Sequence, residues 1–234
     1  MSSLESTFSS SIHSVFKDRK SCVGTYRYLK NEKITEQYLQ HRLYESCRQK
    51  AKDKRVLVAC DTTDYNLHNH KNRITDFEGL GWRGDNSTIG VLQQAQLVID
   101  REDKKGCLGW SGNYFFKRDK REKNPRRFRG TTPIEDKESY KWLGPSIESR
   151  EKVLDTARHV LYIMDREADI YEVMSKVPKK NKSDVLIRMQ QNRRLYNEKG
   201  EKVKLYEDLE NKPIMGYVEI DLQGDRRKRK GRKA

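Results

Sequence analysis

Val56-Leu57-Val58-Ala59-Cys60-Asp61-Thr62-Thr63 and Val160-Leu161-Tyr162-Ile163-Met164-Asp165-Arg166-Glu167-Ala168-Asp169 decide how this chain is read. Each begins as an apolar run too short for a globular helix and closes on an aspartate. A buried strand that carries one carboxylate to the edge of a sheet has that pattern. Asp61 and Asp165, delivered by separate strands, can together hold Mg²⁺ (or Mn²⁺), which takes a few carboxylate oxygens and fills its octahedron with water and phosphate. With two such ions, one activates the attacking water or hydroxyl of a phosphodiester reaction and the other steadies the leaving oxygen. The competing reading of either residue, taken singly, is an Asp that simply ends a strand in a turn. A third carboxylate usually completes such a site, and none that convinces lies before Ala234.

Outward from these strands, Thr88–Asp100 and Cys107–Lys117 read as two more, joined by a charged turn into an antiparallel hairpin. Residues 64–85 read as irregular loop. Residues 135–156 have helical spacing, with Gly144-Pro145 expected to kink or break the helix. A helix from about Ala168 to Lys176 stops near Pro178, and Ser183–Met189 is a further strand. A short helix is expected near Leu205–Leu209 and a strand over Tyr217–Leu222, with Glu219 and Asp221 on its polar face. Upstream, Ser-rich residues 1–20 suggest a poorly ordered terminus. Gly24 to Lys50 turns helical, with Ile34, Tyr38, Leu39, Leu43 and Cys47 as its apolar stripe and a row of Lys and Arg opposite. No internal repeat is present. Antiparallel strands first and strand–helix crossovers afterwards predict an α/β mixed sheet flanked by helices. The ribonuclease-H-like sheet has that order and carries its acids on its first and fourth strands.

Of the 234 residues 34% are hydrophobic and 36% charged, so the core must be compact. Fifty Lys and Arg against 35 Asp and Glu leave a formal charge of +15. That surplus favours a polyanionic partner, because neutralised phosphates release counterions. Nucleic acid leads, well ahead of an anionic membrane surface. No transmembrane span or secretory signal is legible. Cys22, Cys47, Cys60 and Cys107 are scattered without a C-x-x-C pair, which predicts reduced structural thiols in a cytoplasmic protein.

The basic loop from Lys117 to Gly130 includes Lys117, Arg118, Arg126 and Arg127 among Phe115, Phe116 and Phe128, and is a candidate DNA contact. The tail Arg226–Lys233 is basic and expected to be unstructured. Gly79-Leu80-Gly81-Trp82-Arg83-Gly84 fits G-x-G-x-x-G, yet has no apolar strand before it or helix after it, so it reads as a loop. His68-Asn69-His70 has no third ligand nearby and reads as surface loop.

Asp61-Thr62-Thr63 followed by Asp165-Arg166-Glu167-Ala168-Asp169-Ile170 resembles the cut-and-paste DDE transposases of bacterial insertion sequences. Tyr26-Arg27-Tyr28-Leu29, Asn31-Glu32-Lys33-Ile34, Tyr44-Glu45-Ser46-Cys47-Arg48, Lys141-Trp142-Leu143 and Val185-Leu186-Ile187-Arg188 are similar to that family's segments in the same order. The resemblance implies that Asp61 and Asp165 are the first two catalytic acids and metal ligands. It also implies that Arg166 and Arg188 hold transposon-end phosphates. It further implies a partial helical DNA-binding segment over 1–50 and a ribonuclease-H-like core over 51–234. The intact family binds terminal repeats as a dimer and cuts and joins DNA with Mg²⁺. Its third acid is a Glu in a Tyr-x-x-Arg…Glu…Lys pattern that nothing here matches, so a C-terminally truncated transposase is expected. A non-catalytic DNA-binding protein or inhibitor of transposition is the alternative. A two-Asp nuclease borrowing Glu167 or Glu219 as third ligand is a weaker one.

Overall fold

The computed structural model describes residues 12–16, 18–75, 77–83, 87–103, 106–119, 132–217, 219, 221–222 and 232–233. The chain divides into two compact units, Met1–Arg188 and Met189–Ala234. The first unit is α/β, built on a mixed sheet. It opens with a helical turn, α1 (Ile12–Val15), followed by α2 (Arg19–Leu29) and α3 (Glu36–Ala51). Asp18 caps α2 by accepting from the Ser21 amide at 2.8 Å, and Thr35 caps α3 by accepting from Tyr38 at 3.1 Å. The sheet comprises β1 (Arg55–Asn66), β2 (Gly81–Trp82), β3 (Ile89–Asp100), β4 (Cys107–Phe116), β5 (His159–Met164) and β6 (Ser183–Ile187). Its order is β4-β3-β1-β5-β6, with β2 also pairing β3. β3 runs antiparallel to β1, β2 and β4, whereas β1, β5 and β6 are parallel.

Strict alternation fixes the faces. Val56, Val58 and Cys60 of β1 and Val160, Tyr162 and Met164 of β5 are buried on one face, and Val98 of β3 joins them. That face carries the core. Cys47 and Ala51 of α3, Trp142 and Leu143 of α4 (Tyr140–Glu148), and Val173 of α5 (Tyr171–Lys176) complete it with Leu154 and Val177. Each fully buried Val or Leu contributes about 1.5–3 kcal/mol, so these few side chains supply most of the drive to fold. The opposite face, with Leu57, Ala59 and Leu161 only half-buried, leaves Ile163 36% and Leu186 57% exposed.

Three expectations need correction. The apolar stripe on residues 34–47 holds at Cys47, which is buried, but is displaced elsewhere: Tyr38 and Leu43 are exposed, and α3 turns Tyr44 and Ala51 inward beside Cys47. Cross-bonds to β4 set that rotation, since the Asn113 amide donates to Tyr44 Oη at 2.8 Å and Gln40 Nε2 donates to the Asn113 carbonyl at 3.1 Å. Pro145 does not break its helix. α4 runs through it and continues as a π-helical turn over Ser149–Val153, where the Leu154 amide reaches back to the Ser149 carbonyl at 2.8 Å. Residues 64–85 are also less irregular than expected, because β1 extends to Asn66 and His68–Arg73 form a 3-10 helix. Buried Arg150 donates to the carbonyls of Lys176 and Val177, closing the C-terminal end of α5.

In the second unit β7 (Arg194–Tyr196) and β8 (Lys202–Lys204) form a hairpin unforeseen from the sequence. Asn197 Oδ1 accepts from the amides of Lys199 and Glu201 in its turn, and Gly200 adopts φ +78°. α6 (Leu205–Glu210) follows, as expected. Of the strand foreseen over 217–222, Asp221–Leu222 form β9, which pairs antiparallel with β10 (Arg232–Lys233) of the basic tail; residues 218, 220 and 223–231 lie outside the described residues. Among the described residues no helix is long and apolar enough to cross a membrane.

Candidate functional site

Parallel pairing of β1 and β5 puts Arg55 beside His159 and ends with Ala59 beside Ile163. Asp61 and Asp165 each lie two residues beyond that last pair, so they fall at the same level of the sheet, on the open face. Neighbouring strands are about 4.8 Å apart, so the backbones that carry the two carboxylates are adjacent. Both residues are exposed. Asp61 Oδ1 accepts from the Thr62 amide at 2.8 Å, and Asp165 Oδ1 accepts from the Glu167 amide at 2.8 Å. The second bond starts the 3-10 turn Arg166–Ala168, so the same carboxylate that ends the strand fixes the chain after it.

Arg166 is exposed on that turn. Arg188 follows β6 directly, and its amide donates to the Met164 carbonyl at 3.1 Å, one residue before Asp165. Asp165 and Arg188 therefore follow the ends of β5 and β6, while Asp61 lies within β1, just past the end of its parallel pairing with β5. Lys117 is exposed at the end of β4. Arg126 and Arg127, with Phe128, lie outside the described residues.

An ion-pair chain absent from the sequence reading runs beside the aspartates. The Lys141 side chain, only 4% exposed, places Nζ 2.9 Å from Glu167 Oε2 and 3.4 Å from Glu138 Oε1. The rings of Trp142 and Phe116 lie 5.6 and 5.8 Å from the same ammonium. Arg118 grips Glu138 with two hydrogen bonds, one from Nε to Oε2 at 2.7 Å. Burial pushes the Glu138 carboxyl up, but the Arg118 and Lys141 charges outweigh it and hold it below its ordinary value. The Glu138 bond in turn raises the Arg118 guanidinium, with Asp64 and Glu167 adding to the effect. Arg118, expected as a DNA contact, is thus engaged within the protein. Only the Glu138–Lys141 spacing of three residues was a sequence signal for this chain.

Two carboxylates with open solvent around them suit Mg²⁺, which is often held by one or two carboxylates and keeps several waters. Among the described residues no cluster of three or more His, Cys, Asp or Glu is poised to hold a metal ion. Glu167, one possible third ligand, is bonded to Lys141, and Glu219 belongs to the second unit. The His68–His70 stretch is a 3-10 turn with His70 exposed, and a strand rather than a helix follows Gly79–Trp82. All four cysteines are free, and Cys22, Cys47 and Cys60 are buried. No protein-family model matches the sequence, and no curated protein matches it.

Proposed function

We propose that this chain is part of a DNA transposase of the cut-and-paste DDE type, with Asp61 and Asp165 as two metal-binding acids on a ribonuclease-H-like sheet. The observation that carries the reading is the shared level of Asp61 and Asp165 on adjacent parallel strands. The strand order β4-β3-β1-β5-β6 with an antiparallel β3 supports the fold assignment, and the charge of +15 supports a DNA partner. A bound Mg²⁺ or Mn²⁺ would polarise the scissile phosphate and lower the pKa of the attacking water or hydroxyl. Asp61 and Asp165 would hold that charge from neighbouring strands. Arg166 and Arg188 neutralise flanking phosphates of double-stranded DNA. Lys141, by pinning Glu167, keeps the turn after Asp165 in place.

The expected activity of the 234-residue chain is binding with weak or no strand transfer, because two acids do not complete such a site. Mn²⁺ titration followed by water-proton relaxation should show one saturable site that Asp61→Asn and Asp165→Asn each abolish. Binding that ignores both substitutions, or efficient Mg²⁺-dependent strand transfer by the purified chain, would overturn the reading. The lack of a third ligand among the described residues favours a second reading, a non-catalytic DNA-binding protein that occupies transposon ends. Duplex binding that survives Asp61→Ala, in a parent with neither Mn²⁺ binding nor nicking, would select it.

A further inference from the structure

At the end of the sheet opposite Asp61 and Asp165, three arginines from three segments surround one cavity. Arg55 opens β1, Arg101 follows β3 and Arg158 precedes β5; with His159 and Asn181 they line a space of about 440 Å³. Backbone bonds stitch the three segments together. The Arg101 amide donates to the Arg55 carbonyl at 3.1 Å, and the Arg158 amide donates to the Lys54 carbonyl at 2.8 Å. All three arginines are exposed, and among the described residues none of their guanidinium groups has a carboxylate partner. Three nearby acids have other partners: Asp100 meets Lys54 at 2.5 Å, Asp155 meets Arg48 at 2.7 Å, and Asp184 meets His159 at 3.1 Å.

Like charges gathered round one cavity repel, and an oxyanion accepting from two or three guanidinium groups relieves that repulsion while gaining charge-assisted hydrogen bonds. The planar fork of arginine matches phosphate oxygens in pairs. We propose that this cavity is a phosphate-binding site, distinct from the aspartate pair, that takes a phosphate of a nucleic-acid backbone or of a small phosphorylated ligand. It does not depend on the metal chemistry assigned to Asp61 and Asp165.

Two arms of one experiment on the full chain separate the sources. In the first, the Arg Nε–Hε NMR signals are followed while inorganic phosphate or pyrophosphate is added; saturable shifts of Arg55, Arg101 and Arg158 are expected, lost on Arg101→Ala/Arg158→Ala. In the second, anisotropy of a labelled duplex of arbitrary sequence is measured across salt concentrations. Arg55→Ala/Arg101→Ala/Arg158→Ala should weaken binding about tenfold or more and reduce the slope of log K against log salt by about 2–3, since each phosphate contact carries about 0.9. A charge-matched control, Lys71→Ala/Arg73→Ala/Lys199→Ala, should reduce the slope by less than half as much. Response in the duplex arm identifies backbone phosphate, and response in the phosphate arm alone identifies a small ligand. A parent that ignores the duplex but shows the phosphate shifts removes the DNA reading and keeps this site. Indifference of both arms to the arginine substitutions overturns the proposal.

Discussion

Lys141 shows how far one residue can depart from its type. Lysine is almost never fully buried unless paired, and here the ammonium lies over the rings of Trp142 and Phe116 and meets Glu138 and Glu167. Lys141→Ala should destabilise the protein by about 1–3 kcal/mol in urea unfolding, through lost packing and carboxylates left without their cation. Lys141→Met keeps the stem and should recover part of that loss; equal losses for both would show that the charge alone matters. The thiols give a second test at this scale. Burial pushes the Cys47 thiol up to about 12 and raises Cys60 as well, whereas Cys107 is exposed. Native protein at pH 8 should alkylate one cysteine fast, Cys107, and the rest only on unfolding; two fast thiols by mass spectrometry would contradict the burial of Cys22, Cys47 and Cys60. The two aspartates were legible in the sequence because each ends an apolar run. Lys141 was not, since neither its partner Glu167 nor the Arg118 that holds Glu138 is near it along the chain.

At the scale of elements, strands were read well and helices less so. Alternation in β1, β3 and β5 needs only the neighbouring residues to be recognised, and the hairpin β3–β4 came with its charged turn. The rotation of α3 depends on Asn113, and the passage of α4 through Pro145 depends on the π-helical turn after it; neither is a local property of the sequence. Close strand contact has its own signature at Gly90. A Cβ there would lie 2.2 Å from the Tyr65 carbonyl oxygen across the β1–β3 pair. Because backbone cannot swing aside as a side chain can, Gly90→Ala should cost about 1–3 kcal/mol in thermal or chemical unfolding. A substitution without measurable cost would mean that the far end of β1 is looser than its pairing with β3 implies.

For the molecule as a whole, Glu138, Asp155 and Asp100 share one trend: each is held below the ordinary carboxylate value by a cation, Arg118 and Lys141 for Glu138, Arg48 for Asp155 and Lys54 for Asp100. A depressed folded-state pKa gives stability that is present above the unfolded value, about 4, and is lost as pH falls through the folded value. Unfolding midpoints should therefore change little between pH 6 and 8 through these groups and drop steeply below about pH 4. A midpoint flat to pH 3 would mean the three pairs contribute nothing. Division into units at Arg188 was not legible, because no shift in composition marks it. The common level of Asp61 and Asp165 also sets a rule of length. Side chains alternate along a strand, so one residue added between Arg55 and Asp61, or between His159 and Asp165, would turn an aspartate into the core and a valine or tyrosine out of it. β4 absorbs extra residues at Leu108 and Ser111, where its pairing with β3 shifts. β1 and β5 instead behave like a reading frame: each residue can be exchanged for another of its kind, but none can be inserted.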